Sequence, residues 1–229
     1  MARKLPTYLE FEEFKKLMNH TKRIDHKVGF LLGFGAGMRL SEIVGSCKRK
    51  SNCCKADIIK EKVKNNGNNK IQVITCSKCF KKLILTKDTY LSDEVDIKPI
   101  TNDQFDLKGK RIHIEGGKGG VDRVVPIPKG FKEYMLKELP LNKRYKTINS
   151  ARRSFQRMFK QVARKSKLLK QKPNLHFHSL RHSFGSRMAN KGVPIHHIRT
   201  LMGHTNISTT NIYLISNPEK ALDDYERLF

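Results

Sequence analysis

Residues 178–213 read HSLRHSFGSRMANKGVPIHHIRTLMGHTNISTTNIY, and this stretch decides both the fold and the chemistry. LRHSFGSRMANKG has helical spacing and ends on Gly192, a natural helix stop because glycine accepts the left-handed conformation that closes a helix. Pro194 suits the first turn of the next helix, which is expected to run to Met202. Asn206 or Ser208 is placed to cap a further short helix carrying Tyr213. Short helices joined by tight turns thus gather His178, Arg181, His204 and Tyr213 in one part of the chain.

Upstream, KRIHIEG and RVVPIP are short alternating runs on either side of the turn GGKGG, and they predict a β-hairpin with Lys118 at its tip. Phe131 to Leu139, and Thr147 to Leu169, carry apolar residues at helical spacing. At the other end of the chain, Thr7 and Glu10 form a capping-box pattern ahead of Leu9, Phe11, Phe14, Leu17 and Met18. The apolar run Val28 to Phe34 then leads through Gly35 and Gly37 into MRLSEIVG, with Arg39 at the start of a short helix. Pro218 opens a last amphipathic helix that ends at Phe229. The expected fold is α+β, mainly helical, with a small β-sheet or hairpin.

The 229 residues hold 47 Lys+Arg against 21 Asp+Glu, a formal charge of +26. Solubility asks for a net charge of only about 2–8. An excess this large strains a compact fold unless a polyanion balances it, so nucleic acid is the expected partner. Nothing resembles a run of about 18 uncharged apolar residues, which excludes a bilayer-spanning helix, and MARKLPTYLEFEEF lacks the apolar core of a signal peptide. The five cysteines all lie between Cys47 and Cys79, which argues for a local metal site in a reducing, intracellular compartment rather than a disulfide framework.

Residues 46–90 differ from their surroundings and are expected to form an inserted module, with residues 1–45 and 91–229 making the main domain. Between Lys48 and Lys87 there are twelve basic residues against Asp57 and Glu61, a net of +10, which points to added nucleic-acid contacts. Cys76-Ser-Lys-Cys79 is half of a zinc knuckle, and Cys47, Cys53 and Cys54 lie upstream. Four thiolates satisfy a tetrahedral structural Zn2+. The expected ligands are Cys47, Cys54, Cys76 and Cys79, with Cys53 as the alternate. The stretch is too small to bury much core, so a metal staple is physically reasonable.

Cutting a DNA strand without metal or nucleotide makes definite demands. Arginines suit the phosphate, being permanently charged and able to grip its oxygens through two parallel hydrogen bonds. A tyrosine can form a stable phosphoester, and a lysine or histidine must move protons. Arg39, Lys118, His178, Arg181, His204 and Tyr213 supply such a set in that order. Tyr225 is the nearest rival nucleophile, but Asp223, Asp224 and Glu226 surround it and would repel a phosphate.

The order Arg, Lys, His-x-x-Arg, Gly-His, Tyr, with flanks GMRLSEIVG and LMGHTNISTTNIY, resembles the catalytic domain of the tyrosine recombinases, in particular the Xer-like and archaeal integrase branch. The resemblance covers residues 1–45 and about 97–229, and implies a recombinase-type catalytic fold carrying a zinc-ribbon-like insert. It implies that Arg39 and Arg181 clamp a scissile phosphate, that Tyr213 attacks it, and that Lys118 protonates the leaving 5′-oxygen. His178 would assist proton transfer and His204 would hydrogen-bond the phosphate. Catalysis would need no cofactor. Double-stranded DNA would be the substrate, and the C-terminal helix would dock on a neighbouring protomer of a homo-oligomer, a tetramer on DNA. Two departures stand out: the insert itself, and a catalytic-type sequence that starts almost at Met1, as in a minimal or truncated integrase. A type IB-like topoisomerase and a non-catalytic DNA-binding relative remain as alternatives.

Overall fold

The computed structural model describes residues 6–51, 53–66, 69–85, 93–116, 120, 122–204 and 208–211. Lys118, Tyr213 and the whole of 212–229 lie outside the described residues. The chain divides into two compact units, 1–45 with 97–229, and Ser46–Asp96.

In the larger unit, the chain stays extended through Leu9, whose N–H donates to Ser183 Oγ at 2.8 Å while its side chain is fully buried. Helix α1 (Phe11–Asn19) therefore starts later than the Thr7/Glu10 pattern suggested. Its cap is Glu10, whose N–H donates to the Glu13 carboxylate at 2.7 Å. Helix α2 (Ile24–Gly35) buries residues around its whole circumference, Val28, Phe30, Leu31, Leu32 and Phe34 among them, as a helix at the centre of a core must. Helix α3 (Leu40–Val44) follows, with Arg39 as its N-cap.

The smaller unit contains β1 (Ser46–Arg49), β2 (Ile58–Asn66), β3 (Asn69–Cys76), β4 (Lys82–Leu85) and β5 (Asp93–Ile97). Strands β2, β3 and β4 form an antiparallel sheet in that order, and β1 pairs with β5. The β2–β3 register ends at Asn66 opposite Asn69, around the Asn/Gly turn.

Back in the larger unit, β6 (Phe105–Asp106), β7 (Arg111–Ile114) and β8 (Arg123–Pro126) form an antiparallel sheet in sequence order. The β7–β8 pair is the hairpin expected around residue 118. Alternation buries Ile112 and Ile114 on β7, and Arg123 and Val125 on β8. Phe131 to Leu139 contains a 3-10 helix at Glu133–Glu138 rather than an α-helix, and it closes on Leu139 in extended geometry (φ −76°, ψ 149°).

Helix α4 (Ile148–Lys165) is strongly two-sided. Ala151, Phe155, Phe159, Val162 and Ala163 face the core, and Arg153, Gln156, Arg157 and Lys160 are exposed opposite. The expected continuation to 169 fails at Lys167, which takes a left-handed conformation (φ 61°). That break turns Leu168 of α5 (Leu168–Gln171) into the core. Helices α6 (His178–Asn190), α7 (Ile195–Met202) and α8 (Ser208–Asn211) follow. The core centres on α2 against α6 and α4. Phe30 packs edge-on to Phe159 and Phe177 at ring separations of 5.7 and 5.9 Å. Each such ring stabilises the fold by roughly 1.5–3 kcal/mol through burial.

Candidate active site and metal centre

Arg39 and Arg181 come from distant parts of the chain and line one cleft of about 900 Å³. Two backbone corners hold them. Arg39 Nη2 donates to the Gly203 carbonyl at 2.9 Å. Arg181 Nη1 donates to the Gly37 carbonyl at 2.6 Å, and its Nη2 to the Met202 carbonyl. Both corners turn on glycines with positive φ, 64° at Gly37 and 60° at Gly203. A Cβ at Gly37 would lie 2.6 Å from the Phe184 ring, and one at Gly203 would lie 3.0 Å from Arg123 Cδ. Side chains are thus excluded where the carbonyls must approach the guanidiniums.

A buried carboxylate ties this cleft to the hairpin. Glu42, 2% exposed, accepts from Arg123 Nη1 and Nη2 at 2.9 and 2.7 Å, and from Arg39 Nη1 and N–H at 3.0 and 2.7 Å. Arg123 Nε also donates to the Leu201 carbonyl at 2.9 Å. Burial alone would push the Glu42 carboxyl up. The Arg123 fork, helped by the Arg39 backbone, outweighs it and holds Glu42 at about 2. Arg123 thereby fastens β8, the second strand of the β7–β8 pair, to α3 and to the end of α7.

His178 and His204 line the same cleft. Loss of hydration pulls His204 down to about 3, and the Arg181 and Arg39 charges pull the same way. His182, in T-shaped contact with His178 at 4.8 Å, is drawn down to about 4 by burial, then by His176 and Arg181. His178 shifts in the same direction, through loss of hydration and then its neighbour His182. Its ring is nevertheless exposed, so water screens part of that effect. All three shifts favour the neutral imidazole. His204 Nδ1 lies 2.9 Å from the hydroxyl of Thr210, a fully buried residue of α8. Thr209 of the same helix lines the cleft, and Asn211, the last described residue of α8, is next but one to Tyr213 in sequence.

Neither Glu42 nor Arg123 is among the site residues expected from the sequence. Nor is the wall of Arg152, Arg153, Arg157 and Lys160 on α4. The signal for that wall was present: these residues alternate with Ala151, Phe155 and Phe159 at helical spacing.

The family model for phage integrases matches residues 95–220, more than half of the chain. The chain belongs to the phage integrase family. Tyrosine recombinase XerA of Pyrococcus horikoshii is 29% identical over 219 residues, which cover 93% of this chain and 58% of the relative. A tyrosine recombinase of Thermosipho africanus is 32% identical over 120 residues, 51% of this chain and 42% of that one. The chain spans about half the length of these relatives. A crystal structure of XerA recombinase superposes with a TM-score of 0.55 at 19% identity, covering 99% of this chain and 66% of that one. The catalytic domain of bacteriophage HP1 integrase gives 0.51 at 16% identity, covering 96% and 95%. The fold is therefore that of the tyrosine recombinase catalytic domain.

This phage integrase family member carries a cluster of four cysteines ahead of the matched residues. The sulfurs of Cys53, Cys54, Cys76 and Cys79 all lie within 4.8 Å of one another, and Cys53 and Cys79 are 3.4 Å apart. The alternate ligand Cys53 is in the cluster, whereas Cys47, within β1, is not one of the four. The Ser51 hydroxyl, which donates to Cys76 Sγ at 3.1 Å, is the main cause that holds this thiol at about 6. Cys54 is pushed up to about 12, chiefly by its hydrogen bond with Cys79. Four thiols this close cannot all ionise unless a cation sits among them.

Proposed function

We propose that this chain is a site-specific DNA recombinase that breaks and rejoins strands through Tyr213. The carrying observation is the shared cleft, in which Arg39 and Arg181 are fixed on main-chain carbonyls beside His178 and His204. Main-chain carbonyls orient both guanidiniums, and Arg39 shares the Glu42 carboxylate with Arg123.

The Tyr213 phenol oxygen attacks the phosphorus and the bond to the 5′-oxygen breaks. The product is a 3′-phosphotyrosyl link and a free 5′-hydroxyl. Lys118 donates the proton to the leaving oxygen, and His178 assists removal of the phenol proton. His204, steadied by Thr210, hydrogen-bonds the phosphate. Attack by a 5′-hydroxyl of another duplex reverses the step and releases the tyrosine. One phosphoester replaces another, so no nucleotide cofactor is consumed. Double-stranded DNA is the substrate. The net charge of +26 and the cationic wall of α4 support that choice. Residues 218–229 are proposed to join protomers of a tetramer on DNA, inside the cell. No described helix is long and apolar enough to cross a membrane. The cysteine cluster is proposed to hold one structural Zn2+ that staples the smaller unit.

A nicked suicide substrate tests the reaction: it should trap a covalent complex, and peptide mapping should locate the DNA on Tyr213. Tyr213→Phe should abolish capture while leaving DNA binding within about twofold of the parent. Capture that persists in Tyr213→Phe would refute the assignment.

A further inference from the structure

The two turns that meet at the cysteine cluster are built alike. In the first, the Ser51 N–H donates to the Ala56 carbonyl at 2.8 Å, and the Lys55 N–H donates to the Ser51 carbonyl at 2.8 Å. In the second, the Cys76 N–H donates to the Lys81 carbonyl at 3.1 Å, and the Phe80 N–H donates to the Cys76 carbonyl at 3.1 Å. Lys55 and Phe80 both adopt left-handed backbone, at φ 50° and 56°, each directly after a cysteine. Non-glycine residues rarely do so. Every landmark of the first turn recurs 25 residues later, the separation of Ser51 from Cys76.

This correspondence pairs Cys54 with Cys79 and Ser51 with Cys76. The first turn is thus a knuckle whose leading cysteine is a serine. Ser51 is fully buried, and its hydroxyl donates to Cys76 Sγ instead of acting as a ligand. Serine is also outside the usual zinc donor set of Cys, His, Asp and Glu. The missing sulfur comes from Cys53, adjacent to Cys54 in sequence and 3.4 Å from Cys79 Sγ. For Zn–S bonds of about 2.3 Å, a tetrahedral site puts its sulfurs about 3.8 Å apart. The observed cluster, with all four sulfurs within 4.8 Å, needs only small adjustments to reach that.

We infer that the smaller unit is a two-knuckle zinc site in which Cys53 replaces the sulfur absent at position 51, giving the ligand set Cys53, Cys54, Cys76 and Cys79 with Ser51 supporting Cys76 from outside. The inference rests on the zinc reading proposed above and specifies its ligands. It leaves Cys47 without a place in the metal shell.

Cobalt is the probe, because sulfur-to-cobalt charge transfer grows with the number of bound thiolates. The full chain is stripped of metal and titrated with Co2+, then with Zn2+ in competition. Circular dichroism follows the helices, and every described one lies in the larger unit, so folding there is monitored separately. The parent should take one Co2+ with a four-thiolate spectrum, and Cys47→Ser should match it. Cys53→Ser should lose about a quarter of the charge-transfer intensity and bind zinc more than tenfold more weakly. Ser51→Ala should keep the four-thiolate spectrum but loosen the metal by about 10–100-fold, as loss of an outer hydrogen bond does. The decisive variant is the double change Ser51→Cys with Cys53→Ser, which moves the sulfur back to the leading position. It should restore both the spectrum and the affinity to within about tenfold of the parent. No uptake of Co2+ or Zn2+ by the parent would overturn the zinc reading itself. Uptake by the parent with an unaltered Cys53→Ser spectrum, or with no recovery in the double variant, would overturn the ligand assignment alone.

Discussion

Arg123→Met removes the fork that holds Glu42, and its consequence can be worked out from the structure. Glu42 is 2% exposed and has an ordinary value of 4.5, yet it sits at about 2. That difference corresponds to about 3 kcal/mol of stability at neutral pH. Breaking a buried ion pair by removing one partner costs about 3–5 kcal/mol, and the two routes agree. The sign with pH follows from the depressed value. The stabilisation is complete above about 4.5, the unfolded value, and is lost as pH falls from there towards 2. In Arg123→Met only Arg39 still offsets the burial of Glu42, so its carboxyl rises and protonates more readily. The assay is urea unfolding followed by helix ellipticity, which reports the larger unit, in a series from pH 7 downwards. We expect the variant to be about 3–5 kcal/mol less stable at pH 7, with a melting temperature lower by roughly 10 °C. The gap should narrow as pH falls through the variant's raised carboxyl value and on towards 2. A loss under about 1 kcal/mol at pH 7, or a gap that does not change with pH, would refute the argument.

Other predictions concern different parts of the molecule. Gly203→Ala places a Cβ 3.0 Å from Arg123 Cδ at a φ of 60°, so we expect a loss of about 1–3 kcal/mol in denaturant unfolding and weaker strand cleavage, since this corner also holds Arg39. Phe155→Ala opens the fully buried core between α2 and α4 and should cost about 3–5 kcal/mol in the same measurement. His182 and His204, drawn down to about 4 and 3, should stay neutral to about pH 5 in NMR titrations of the free protein. Their folded form disfavours the proton, so their contribution to stability is complete above the ordinary value of 6.5 and is lost as pH falls below it. Arg157→Ala should weaken DNA binding about equally for all sequences and lower the slope of log affinity against log salt by about 1.

Much of this architecture is legible in the sequence because local rules act on it directly. The α6–α7 segment carries its own stops in Gly192 and Pro194, and the hairpin shows its alternation around GGKGG. What escaped reading depends on contacts distant in sequence. Nothing near Thr7 reveals that Leu9 will be tied down by Ser183, which delays α1 to Phe11. Arg123 looks like one more solvated cation in RVVPIP until strand alternation turns it inward to meet Glu42, 81 residues away. The break at Lys167 is a backbone choice that its side chain does not announce. In the smaller unit, attention to cysteine spacing concealed the position of Ser51, because a serine is invisible in a search for sulfur. The return of β5 to β1 was hidden as well, since DEVDI has only two apolar residues and was expected in the main domain.

The cleft also shows how a protein of charge +26 keeps cations close together without phosphate present. Arg39, Arg123 and Arg181 all converge near the end of α7, and Glu42 is the carboxylate among their described hydrogen-bond partners. Arg123 takes both of its oxygens in a fork at 2.7 and 2.9 Å, which leaves Arg39 one longer side-chain contact at 3.0 Å. Arg123 is thus the more fully neutralised and serves as structure. Arg39 is held by a carbonyl and by one oxygen of the carboxylate it shares with Arg123. Burying Glu42 between Arg123 and Arg39 offsets part of the repulsion within the cluster. The neutral histidines fit the same logic, because a protonated imidazole beside Arg181 and Arg39 would add a further positive charge before any phosphate arrived to offset it.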